Sequence, residues 1–247
     1  MTDRMTDKAK KATGAPKAGG DGSPAALCPH IAGPADFARA FGVSRETTDR
    51  LEAYAGLLRR WQKTINLVAP RTLDEIWHRH FADSAQLVRL IPPDARRLAD
   101  LGSGAGFPGM VIAILAAETG HALTALRVTL IESDTRKAAF LREVARTLGI
   151  AVDIIPARIE SDTIRAIVER IDCVTSRALA PLPRLFELAH PYFDAATVAL
   201  FLKGRDVGSE IEDAEHHWSF ALRLEPSCTE PDARIAVITD LEIKKGS

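Results

Sequence analysis

The chain has 247 residues, 46% of them apolar and 26% charged, enough to bury one sizeable core and too apolar for a disordered or fibrous protein. Its longest apolar run, Phe107 to Ala117, is far short of the roughly 18 residues that span a bilayer, and Met1 to Ala26 holds no apolar secretory stretch, so a cytoplasmic protein without a membrane contact is expected. The net charge of −1 hides two opposite balances: residues 39–97 hold eleven Lys or Arg against seven Asp or Glu, whereas residues 206–242 hold two against ten, which predicts a basic side suited to a polyanion.

Residues 1–33 are mostly Lys, Ala, Gly, Pro, Asp, Ser and Thr, with too little to bury to offset the entropy of ordering, and are predicted to be a flexible tail. A helical N-terminal subdomain is predicted over 34–93. There Leu51, Tyr54, Ala55, Leu57, Leu58 and Trp61 recur at helical intervals, with Ser44 or Thr47 as cap, and a second helical stretch runs from Leu73 through Ile76, Trp77, His80 and Phe81 to Leu90. Residues 94–247 form the last unit. Strands are expected near 97–101, 127–131, 152–155, 172–175 and 197–202, with helices near 108–117, 135–148, 158–170, 183–190 and 207–217. This βα alternation means an α/β fold with a mainly parallel sheet, Rossmann-like in kind. Two further runs, 220–224 and 234–241, are joined by a short loop and predict an antiparallel edge.

The first of these strands runs into Gly102-Ser-Gly-Ala-Gly-Phe-Pro-Gly109 and then an apolar helix. Backbone amides at such a turn make a site for a polar ligand group that a side chain would obstruct. Gly104-x-Gly106-x-x-Gly109 matches a dinucleotide fingerprint, but that fingerprint wants an acid about 20 residues on, and the acid ending the second strand is Glu132. Asp100 before the glycines and Glu132 after the second strand fit S-adenosylmethionine better. In that reading Gly102, Gly104 and Gly106 let the chain pass the methionine moiety, Glu132 accepts both ribose hydroxyls and Ser133 lies beside that ribose. Asp100 either orders the loop or meets the ligand ammonium through water. Asp134 serves beside the ribose or caps the helix starting at Thr135. Ile159 and Glu160 fall where adenine should rest, unless Glu160 pairs with a nearby Arg.

The fourth strand ends at Ser176-Arg177, at the crevice where substrate meets cofactor. No Asn- or Asp-Pro-Pro-aromatic segment for an exocyclic amine follows it, and Cys173 lies inside the strand without the neighbouring proline of a carbon-5 nucleophile, which leaves it as core filler. An acceptor with its own lone pair, such as guanine N7, needs only positioning and desolvation. Arg177 can stack on or hydrogen-bond a guanine, orient the cofactor or pair structurally with a carboxylate of the acidic helix expected near 207–217.

Taken together, Leu98-Ala-Asp-Leu-Gly-Ser-Gly-Ala-Gly-Phe-Pro-Gly109, Ile131-Glu-Ser-Asp-x-Arg-Lys-x-x-Phe-Leu141, Ser176-Arg-Ala-Leu-Ala-Pro-Leu182 and Phe201-Leu-Lys-Gly204 closely resemble the ribosomal small-subunit methyltransferase G family, also called glucose-inhibited division protein B. Trp61-Gln-x-x-Ile-Asn-Leu67 and Arg79-His-Phe-x-Asp83-Ser84 resemble its helical-domain signatures. The resemblance covers about residues 36–241. It implies methylation of guanine N7 in 16S ribosomal RNA with S-adenosylmethionine, and cofactor contacts from Gly102, Phe107, Glu132, Ser133, Asp134, Ile159, Glu160 and Arg177. Residues 94–247 would be the methyltransferase domain.

An RNA partner, free or in a small-subunit particle, would meet Arg136, Lys137, Arg142 and Arg146 after the second strand, Lys203 and Arg205 after the fifth, and Arg59, Arg60 and Lys63 on the first long helix. Arg177 and Lys203 are the expected positioning residues of the reaction, with no general base. The histidines complete no metal-ligand set, so no metal is expected. A monomer suffices. The alternatives are a dinucleotide-dependent oxidoreductase and a non-catalytic ribosome-binding protein.

Overall fold

The computed structural model describes residues 28–118, 120–162, 164 and 170–244. Seven strands form one sheet in the order β3-β2-β1-β4-β5-β7-β6. The first five, β1 (Arg97–Leu101), β2 (Arg127–Ile131), β3 (Asp153–Ile155), β4 (Cys173–Arg177) and β5 (Val198–Lys203), pair in parallel. The antiparallel edge is β6 (Trp218–Pro226) and β7 (Arg234–Ile243), with β7 lying against β5 so that Lys203 faces Arg234. Both edge strands run past the ends their apolar patterns suggest, because ladder hydrogen bonds carry a strand beyond its alternating core.

Period-2 alternation divides the strands between two cores. Leu98, Val128 and Leu130 belong to the core shared with α1 (Pro34–Phe41), α2 (Arg45–Trp61), α4 (Gly109–Ala116) and α5 (Thr135–Leu148), while Ala99, Leu101 and Ile131 belong to the core shared with α6 (Leu182–Ala189) and α7 (Val207–Glu215). Every residue of α4 is buried, which an amphipathic helix would not tolerate; its all-apolar sequence suits a helix covered by the N-terminal elements on one side and the sheet on the other.

The stretch expected as one helix to Leu90 is a π-helical segment Trp77–Ala82, a short α3 (Asp83–Ala85) and a 3-10 segment Gln86–Leu90. Asp83 N–H reaches back five residues to His78 O, and the Ser84 hydroxyl donates to His80 O at 2.7 Å. The predicted tail boundary at residue 33 needs correcting, since Ile31 is 1% exposed inside the first core and Cys28 N–H donates to Cys228 O at 2.9 Å. Residues 1–27, 119, 245–247 and, within the helix expected over 158–170, residues 163 and 165–169 lie outside the described residues.

Candidate active site

At the carboxyl ends of the parallel strands lies a cleft of about 1060 Å³. Its floor is the turn after β1. Gly102, Gly104 and Gly106 all have positive φ (68°, 57° and 95°), and the Gly102 and Ser103 N–H groups donate to Ile131 O at 3.0 and 3.1 Å, folding the turn over the end of β2. A Cβ on Gly104 would meet nothing closer than 3.8 Å, so its backbone lies open to the cleft. Glu132 is buried there. Its Oε2 accepts the Gly104 N–H and its Oε1 the Asp134 N–H, both at 2.7 Å, which fixes the carboxylate while each oxygen keeps a lone pair for a hydroxyl.

Two other expected cofactor residues shape the loop instead of lining the cleft. Asp100 is fully buried: Oδ1 accepts the Thr175 hydroxyl at 2.8 Å and Oδ2 the Gly109 N–H at 3.2 Å, and burial raises its pKa to about 6 against these hydrogen bonds. It orders the loop from beneath and does not itself line the cleft. Gly106 is glycine because a Cβ would collide with the Tyr54 hydroxyl and press on Met110 and Leu141. Tyr54 reaches across from α2 to donate to Ala105 O, and its ring stacks on Phe107 at 5.5 Å. Asp134 forms the cap of α5, its Oδ1 accepting the Arg136 and Lys137 N–H groups at 2.8 and 3.2 Å.

Arg177, at the tip of β4, is held by the N-terminal segment, and not by the acidic helix α7. Its Nη1 donates to Arg79 O at 3.1 Å and Asp83 Oδ2 at 3.2 Å, Nη2 donates to His80 Nδ1 at 2.9 Å, and the guanidinium lies 4.8 Å from the Phe107 ring centre. Arginine has no acceptor, so His80 accepts at Nδ1 and carries its proton on Nε2, which faces the Thr72 hydroxyl at 2.8 Å. Burial first, then the charges of Arg177 and Arg79, lower the His80 pKa to about 3. The ring is neutral at physiological pH.

Lys203 lines the cleft but is no free cation. Its Nζ sits 2.5 Å from Glu210 Oε2 and donates to Ala180 O at 3.0 Å, while the same Glu210 oxygen accepts the Leu182 N–H at 2.8 Å. The pair therefore fixes the 178–182 segment, in which Ala178 is left-handed (φ 54°) and Leu179 lies over Gly102. On the β3 side, Ile159 and Glu160 line the cleft; Ile159 O accepts the Tyr192 hydroxyl at 2.9 Å and Glu160 pairs with Arg184. Ser133 and Lys137 complete this wall. Arg142 and Arg205 are exposed, Arg146 is paired with Glu143 at 2.9 Å, and Arg136 with Asp134 at 3.5 Å. Cys173 is buried in the sheet, its thiol pKa pushed up by desolvation.

Sequence reasoning missed His80, Asp83, Thr72, Thr229 and Glu230, all of which line or support the cleft. Asp83 accepts from Arg177, Gln86 and Thr229 together. Arg79 and Asp83 stood in a motif, but their partners lie far along the chain.

A sheet of this order, with a glycine-rich turn after β1 and a buried carboxylate after β2, has the architecture of Rossmann-like S-adenosylmethionine-dependent methyltransferases. Two solved structures share the fold: cofactor-bound Rv0187 from MTB (TM-score 0.52, 12% identity, 77% of this chain and 89% of that one) and a mutant of MtNAS in complex with S-adenosylmethionine (TM-score 0.51, 15% identity, 83% and 82%). The chain belongs to the family described as GidB, rRNA small subunit methyltransferase G, whose model matches residues 47–232. Among curated relatives, the ribosomal RNA small subunit methyltransferase G of Parvibaculum lavamentivorans is 46% identical over 86% of this chain and 92% of its own length, and that of Rhodospirillum centenum 48% identical over 83% and 90%. Neither the oxidoreductase nor the non-catalytic alternative finds support in these relatives.

Proposed function

We propose that this chain methylates N7 of a guanosine in 16S ribosomal RNA with S-adenosylmethionine. The observation that carries the reading is the fixed Glu132 carboxylate beside the open Gly104 backbone, in a chain of this family. When bound, the cofactor would supply an electrophilic methyl group. Gly102, Gly104, Glu132 and Ser133 would hold its amino-acid and ribose parts, and Ile159 and Glu160 the adenine edge. Phe107 and Arg177 line the same cleft, with the guanidinium over the Phe107 ring, and would meet the cofactor there.

The acceptor nitrogen carries its own lone pair, so the chain has to orient a purine and exclude water, and no base is needed. His80 is neutral and hydrogen-bonded at both nitrogens, and burial raises the Tyr54 phenol pKa well above its usual value. Lys203 acts by fixing the 178–182 segment.

For RNA docking, the exposed Arg59, Arg60 and Lys63 of α2 and its following turn join Arg142 and Arg146 of α5, since the two helices pack together and Arg60 influences Glu143. This strip and Lys137 would neutralise phosphates without reading sequence.

The test is incubation of the protein with methyl-labelled S-adenosylmethionine and small-subunit particles lacking the modification, followed by nuclease digestion. Label in 7-methylguanosine, abolished by Gly102→Asp, is the expected result; cofactor binding with no label in any guanosine would reject the assignment.

A further inference from the structure

The strand order splits the cleft. Gly102, Glu132 and Ile159 stand over the ends of β1 to β3, which leaves the ends of β4, β5 and β7 for the acceptor. Arg79 and Glu230 form an ion pair on the rim of that second half, one from the π-helical segment and the other from the loop entering β7. We propose that this pair reads the Watson–Crick edge of the acceptor guanine, with Glu230 the residue that selects guanine. The inference rests on the guanine-N7 reading above.

Chemistry selects Glu230 among the cleft carboxylates. Glu132 holds two backbone N–H groups, Asp83 three side chains, Glu210 both Lys203 and Leu182, and Glu160 lies on the β3 side with Arg184. Among the described residues Glu230 is paired with Arg79 alone, and the two side chains are 42% and 39% exposed, so both can exchange water for a ligand.

An arginine beside a carboxylate presents one donor and two acceptors in a row. Guanine presents the complement along one edge: O6 accepts, and N1–H and the 2-amino group donate. Adenine would set its N1 lone pair against the carboxylate. N1–H and the 2-amino group, which Glu230 would accept, lie across the ring from N7, which stays free to meet the methyl group.

The pair is also mounted rigidly, as a recognition site must be. Arg79 O accepts from Arg177 at 3.1 Å. On the facing loop, His78 Nε2 contacts Thr229 O at 3.1 Å, the Thr229 hydroxyl donates to Asp83 at 2.9 Å, and Gln86 Oε1 accepts the Cys228 N–H at 2.8 Å.

Glu230→Gln replaces one acceptor by a donor and should remain folded, because an exposed ion pair contributes little stability. With undermodified particles as substrate, its kcat/KM should fall roughly ten- to a hundredfold, while its Kd for S-adenosylmethionine stays within about twofold. Particles reconstituted with inosine at the target lack the 2-amino donor; the wild type should discriminate against them, and Glu230→Ala should not. Wild-type kcat/KM in Glu230→Gln, equal discrimination by wild type and Glu230→Ala, or a matching loss of cofactor affinity would each overturn the proposal. A wild-type protein that binds cofactor and leaves guanine N7 unmethylated would reject the underlying reading as well, an outcome distinct from a defect confined to the variants.

Discussion

His80 accepts from one cation, lies near another and stays neutral, which makes it a proton-sensitive part of the fold. Its pKa is about 3 in the native state against 6.5 when exposed, so between those values the unfolded chain binds more protons. Its contribution is present in full above pH 6.5 and lost as pH falls toward 3. His80→Gln can keep an acceptor for Arg177 and a donor for Thr72 without titrating. Urea unfolding at pH 7 and pH 5 should show the stability difference moving in favour of the variant by about 2 kcal/mol on acidification; parallel pH profiles would refute the assignment. Asp100 has the opposite slope, its native pKa being raised to about 6, but it is common to both proteins and cancels. The glycines and Glu132 are readable in the sequence because their chemistry is local. His80 and Asp83 are not, since what defines them is Arg177, 97 and 94 residues away. Lys203 misleads in the converse way, because a lysine after a strand looks free until Glu210 is found on the next helix.

At the scale of elements, the caps and apolar spacing of α2 and α5 are sufficient to place them. Ser44 and Asp134 each accept first-turn N–H groups, and left-handed Gly149 ends α5. What spacing does not reveal is how α2 hands over to the cleft wall. Gln62 makes that turn: Oε1 accepts the Leu67 and Val68 N–H groups, both at 3.0 Å, and Nε2 donates to Val68 O at 2.8 Å. Leu67 and Val68 line the cleft, so the glutamine in the Trp61-Gln62 signature is a clamp on the site wall. Gln62→Ala should cost about 1–3 kcal/mol through unsatisfied backbone groups, on the order of 5 °C in melting temperature for a chain of this size, and should weaken S-adenosylmethionine binding. Thermal melts with and without cofactor, set against the exposed control Lys63→Ala, decide this; a variant indistinguishable from the control would sink the clamp. The π-helical turn was equally hidden, because apolar residues at three- and four-residue intervals suit a π-helical widening as well as a regular helix.

Across the described residues, the segment from Cys28 to Ile31, the helical segment and the last hairpin are one structure. Apolar side chains of the N-terminal helices and of the sheet share the first core, and the 227–230 loop is tied to the 77–90 segment by His78, Asp83 and Gln86. Composition could not show this, since long-range packing decides which residues of a Gly- and Pro-rich stretch are recruited. Ile31 is the clearest case. It sits in a segment that reads as tail, yet it is 1% exposed, and its N–H donates to His78 Nδ1 at 3.3 Å, the same ring whose Nε2 contacts the Thr229 carbonyl. Removing its buried side-chain carbons leaves a cavity against the helical core, so Ile31→Ala should destabilise the protein by about 2–4 kcal/mol. A solvated tail residue would change stability by less than about 0.5 kcal/mol. Urea midpoints at pH 7 separate the two, and an unchanged midpoint would return residues 28–33 to the tail.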